Sequence, residues 1–109
     1  MEIVKKINEK DYGFKFTNLT IIKYCEYRKI GLSEFDADLQ NVFESNNALI
    51  RAALDVYSKG EVKINEYEAD ELISGMADGD YLDIKTCFLD SMVGIISRLS
   101  GKAEESKKK

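Results

Sequence analysis

From Tyr81 to Leu99 the apolar residues recur with the period of a helix. At about 100° per residue, Ile84, Phe88, Ile95, Tyr81, Leu99, Met92, Ile96, Leu89, Leu82 and Val93 share about half of the circumference. Asp83, Asp90, Thr86, Ser97 and Arg98 take the other half. Lys85 is the one charge inside the apolar arc, where its stem can lie along the arc with the ammonium in water. So wide an arc needs more than one packing partner. Burying about ten such side chains gains on the order of 15–30 kcal/mol gross, before the larger cost of ordering the chain. The sequence therefore predicts a long C-terminal helix as the frame on which everything else packs.

The earlier chain supplies the partners. Residues 2–7 read as a weak strand, Asn8 to Asp11 as a turn, and Tyr12, Phe14 and Phe16 alternate with Gly13 and Lys15, a period of two. This is a small hairpin, too marginal to stand without helices beneath it. Asn18 is placed to cap a first helix running to about Ile30, with Gly31 as its left-handed stop. Ile21, Ile22 and Cys25 form its core side, whereas Leu19, Tyr27 and Ile30 form a second apolar strip that takes the hairpin or faces a partner. Ser33 and Asp36 open a second helix in which Phe35, Leu39, Val42 and Phe43 share one face, and Ser45-Asn46-Asn47 ends it. A third helix spans Ala48 to Lys59, with alanines that admit a close neighbour and Gly60 as its stop. Val62 and Ile64 are candidates for a short strand. Asn65 with Glu68 forms a capping box for a fourth helix whose inner face is Ala69, Leu72, Ile73 and Met76. Asp78 or Asp80 caps the last helix, in which Gly94 lies on the polar side. The expected fold class is α+β, mostly α, with a small N-terminal β-hairpin packed on about five helices. Residues 1–101 form one domain, and 102–109 a disordered charged tail.

Chemistry is harder to find. The 109 residues contain no histidine, which excludes Ser-His-Asp triads and histidine metal sites. Cys25 and Cys87 stand apart and read as small buried apolar residues, with a disulfide or a reactive thiol as the alternative. Eight acids and one lysine lie between Glu61 and Asp83, yet no spacing there marks a catalytic pair. Asp78, Asp80 and Asp83 do not make a calcium loop, because Leu82 and Asp83 stand where Asp or Asn and then Gly are required. Ser100-Gly101-Lys102 lacks the upstream glycine of a phosphate loop, since Ile96 occupies that position. The expectation is a protein that is not an enzyme and needs no cofactor or metal. A net charge of −4, with four lysines concentrated in the tail from Lys102 on, leaves an acidic body unsuited to nucleic-acid phosphates. No apolar run approaches the roughly 20 residues of a membrane span, and MEIVKKINEK lacks the apolar core of a signal peptide. The expected location is the cytoplasm.

The order of elements carries a resemblance. A hairpin ends in Phe14-Lys15-Phe16-Thr17-Asn18, and a helix with Tyr24-Cys25-Glu26 leads to Gly31-Leu32-Ser33. Ala48-Leu49-Ile50-Arg51-Ala52-Ala53-Leu54 follows, then Asn65-Glu66-Tyr67-Glu68-Ala69-Asp70-Glu71-Leu72-Ile73, then a last amphipathic helix with a charged tail. Over residues 1–101 this layout resembles the tail assembly chaperones of long-tailed bacteriophages and prophages. The resemblance implies a non-catalytic protein of the host cytoplasm. It would bind the helical tape measure protein and assist assembly of tail tube protein around it. Lys107-Lys108-Lys109 would suit a slippery message of the kind many of these genes use for frameshifting. Helices one, three and five each carry more apolar surface than a small monomer easily hides; part of that surface is expected to meet the client or another copy, and Leu19, Tyr27 and Ile30 are the residues proposed from the sequence to bind a partner. The rival reading is an acidic inhibitor or regulator that masks a basic surface through the run Glu61–Asp83.

Overall fold

A computed structural model describes residues 1–99, with side chains to Ile95. The expected tail 102–109 lies outside the described residues. Strands β1 (Glu2–Ile7) and β2 (Lys10–Lys15) pair antiparallel, with Ile7 opposite Lys10 and Ile3 opposite Phe14. The turn is only Asn8-Glu9, and both residues have positive φ, at 53° and 67°. That is the signature of a type I′ turn, whose twist matches the strands it joins. Five helices follow: α1 (Asn18–Arg28), α2 (Phe35–Asp38, entered through a 3₁₀ turn at Leu32–Glu34), α3 (Val42–Tyr57), α4 (Glu66–Ser74) and α5 (Asp78–Leu99). The architecture is α+β and mostly helical.

The centre of the molecule is α3, not the C-terminal helix. Ten of its sixteen residues are buried, and it touches α1, β2 and α4, whereas α5 packs chiefly on β1. Ala48, Ala52 and Ala53 are sealed, and their small side chains let neighbouring elements approach closely. Phe14, Phe16, Ile21, Tyr24, Leu49 and Ile84 complete the heart of the core. From α5 come Ile84, Phe88, Met92 and Ile95, with the Phe88 ring 5.6 Å from that of Phe16. Lys5 on β1 donates to Asp83 at 2.6 Å and lies 3.5 Å from Asp80, so an ion-pair cluster reinforces the same seam.

Several boundaries differ from those expected, each for a local reason. The N-cap of α1 is Thr17, not Asn18; its N–H donates to Thr20 Oγ1, whose hydroxyl donates in turn to the Lys15 carbonyl. That helix ends at Lys29 in the left-handed conformation, not at Gly31. The Ile30 N–H reaches back to the Cys25 carbonyl while Ile30 packs against the core, a hydrophobic anchor of the Schellman kind. Thr20 and Tyr24 are buried on its inner side, and Ile22 is exposed.

The expected second helix is reduced to one turn, and α3 begins six residues before Ala48. Ser45, Asn46 and Asn47 do not end a helix; they lie inside α3. Their polar atoms are satisfied by neighbouring helices. Asn46 donates to the Tyr81 hydroxyl, and Asn47 donates to the Glu66 carbonyl and to Asp70. This continuation turns Val42 and Phe43 outward, off the face they were expected to share with Phe35 and Leu39. The Asn65–Glu68 capping box forms in both directions, at 2.8 and 2.9 Å. Asp78 is the first residue of α5 rather than its cap, and Val62 and Ile64 lie in irregular chain.

Candidate partner-binding surface

Two buried carboxylates are the most strongly held charges in the fold. Asp38 accepts from Tyr24 Oη at 2.5 Å, from Arg28 Nε and Nη2 at 2.8 and 2.9 Å, and from Asn41. The Arg28 guanidinium, aided by Tyr24 and Asn41, holds this carboxyl down at about 2 against the desolvation that opposes it. Burial, with the Asp38 bond, pushes the Tyr24 hydroxyl up to about 12. Asp55 on α3 accepts from Lys63 Nζ at 2.7 Å and from Tyr27 Oη at 2.9 Å. Burial pushes this carboxyl up, but the Lys63 and Tyr27 bonds outweigh it and leave it below the ordinary range. Both clusters are closed: among the described residues no buried side-chain nitrogen or oxygen lacks a partner. They cross-link segments and leave no polar atom aimed at a ligand.

Four of the eight acids between Glu61 and Asp83 are taken up in the same way. Glu68 serves the α4 cap, Asp70 accepts from Asn47, and Asp80 and Asp83 face Lys5. Among the described residues no group of three or more His, Cys, Asp or Glu is placed to hold a metal ion. Cys25 and Cys87 are free thiols, the first buried and the second half-buried, and burial pushes both thiols up. No described helix is long and apolar enough to cross a membrane. Beside the hairpin lie a groove of about 290 Å³ lined by Lys10, Tyr12, Glu68 and Leu72 among others, and a more open depression of about 570 Å³ between Asn8 and α4.

What remains conspicuous is exposed apolar surface. Leu82, Leu89 and Val93 project from α5 at 64, 58 and 73% exposure. They lie along one line of the helix, on the side away from Ile84, Phe88 and Ile95. The sequence placed all of them in one continuous apolar arc; the structure splits that arc into a covered half and an open half. Lys85 borders the open half. Its ammonium donates to Asn46 Oδ1 at 2.9 Å, and burial lowers its pKa. This bond and the Asn46–Tyr81 bond fix the N-terminal part of α3 beside α5. One turn along α3 from Asn46 are Val42 and Phe43, the latter 85% exposed. The open row of α5 is thus an apolar platform, and the start of α3 carries two more exposed apolar side chains.

The residues proposed from the sequence lie elsewhere. Leu19 is exposed beside Ile22, but Tyr27 and Ile30 are half-buried against the chain's own core. The Arg51 guanidinium covers the Tyr27 ring at 4.3 Å, and Asp55 takes its hydroxyl. The structure does not bring the three together as one open strip. The signal that could have found the platform was the spacing Leu82-Thr86-Leu89-Val93, hidden by the width of the arc around it. No protein family, curated protein or solved structure matches the chain.

Proposed function

We propose that this chain is a non-catalytic chaperone of phage tail assembly, working in the host cytoplasm. On this reading the platform on α5 cradles the long helical tape measure protein. The client stays soluble while tail tube protein assembles around it. The observation that carries the proposal is the row Leu82, Leu89 and Val93, too exposed to serve the chain's own core and correctly spaced for an amphipathic helix. The resemblance in element order supplies the identity of the client.

Co-expression tests it. The wild-type chain should keep the tape measure protein of the same phage in the soluble fraction and co-purify with it. Leu89→Lys and Val93→Lys, both on the open side, should fold normally and lose that effect. A tape measure protein equally soluble with and without the chain would overturn the reading. The acidic-regulator alternative draws support from α4, where Glu66, Glu68, Asp70 and Glu71 are all exposed. It requires binding that survives Leu89→Lys and vanishes in salt.

A further inference from the structure

Resting on that reading, we infer that the segment held by α5 is an amphipathic helix with heptad spacing and basic flanks. Leu82, Thr86, Leu89 and Val93 follow one another by four, three and four residues, and all four are exposed. That is the spacing of a coiled-coil seam, with leucines at one core position and β-branched residues at the other. The positions flanking this seam are Asp83 and Asp90 on one side and Asp78, Lys85 and the buried Met92 on the other. The three acids are exposed, and Asp78 and Asp90 have no ion-pair partner among the described residues. Of the two cations along the seam, Lys85 is committed to Asn46 and Lys5 to Asp83 and Asp80, which leaves Asp78 and Asp90 free to pair. The seam therefore offers an incoming helix apolar holes bordered by negative charge, and lysine or arginine at the flanking positions of that helix completes it. A second copy of this chain fits poorly, since it would bring the same acids and the same committed lysine.

The test uses the full chain and two fluorescein-labelled helical peptides of about three heptads with Leu and Ile at the core positions. One carries Lys at the flanking positions and the other Glu. By anisotropy at low salt the Lys peptide should bind about tenfold or more tighter. The difference should shrink in about 0.5 M salt. Leu89→Lys should abolish binding of the Lys peptide, and Asp90→Lys should narrow the gap between the peptides severalfold. Equal affinity for the two peptides would overturn the charge inference and leave the client reading standing. Binding of neither peptide by a folded wild-type chain would overturn both. Sedimentation showing a dimer that Leu89→Lys dissociates would assign the seam to a second copy and overturn the inference.

Discussion

Asp38 collects four hydrogen bonds from Tyr24, Arg28 and Asn41 on a side chain only 8% exposed. Its pKa falls from 3.8 to about 2 in the fold, so the unfolded chain takes up this proton first as pH drops. The stabilisation, about 2 kcal/mol, is complete above the unfolded value and is lost as pH falls through the folded one. Urea unfolding between about pH 5 and pH 2 should show this loss, and Asp38→Asn should flatten the acid limb. The same substitution should cost about 3–5 kcal/mol at neutral pH, because Arg28 is left half-buried without its partner. A second residue-scale prediction concerns backbone. Glu9 holds φ at 67° in a turn that favours glycine at this position. Glu9→Gly should raise stability by about 1 kcal/mol, read as a higher Tm, because a left-handed non-glycine residue carries a cost of that order.

At the scale of elements, β2 meets the end of α3 through a missing side chain. A Cβ on Gly13 would stand 2.2 Å from Cε1 of Tyr57, so the ring lies directly on the strand. Gly13→Val should destabilise the protein by about 1–3 kcal/mol through overpacking. In a Tyr57→Ala background the same change should cost much less, a coupling that a double-mutant cycle by chemical denaturation would measure. This contact could not be read from the sequence, where Gly13 was merely a break between Tyr12 and Phe14. The hairpin, the α4 capping box and the buried half of α5 were legible because local rules and tertiary packing agree there. The start of α3 was not. Ser45-Asn46-Asn47 has the composition of a turn, and only bonds to Tyr81, Lys85, Glu66 and Asp70, remote in sequence, keep it helical. Phe43 left the face shared with Phe35 for the same reason. That the last helix carries surplus apolar surface was legible, but which side stays open was not: periodicity separates apolar from polar positions but does not reveal how much of an apolar arc the fold will cover.

At the scale of the whole molecule, α5 is a helix with two apolar sides and one covering. Phe88 abuts Phe16 and is 4% exposed, whereas the next residue, Leu89, is 58% exposed. If the open side exists for a partner, the two residues must respond oppositely to truncation in the isolated chain. Phe88→Ala opens a cavity against β1 and the core and should cost about 3–5 kcal/mol. Leu82→Ser, Leu89→Ser and Val93→Ser remove surface that the isolated chain does not bury. Each should change stability by about 0.5 kcal/mol or less. Guanidinium unfolding followed by circular dichroism measures both classes. The comparison also bears on function, because a serine variant with unaltered stability and lost client solubilisation places the lost contact outside this subunit. Should the three serine variants together cost as much as Phe88→Ala, their side chains would belong to this chain's own packing, and the platform would not be available to a client.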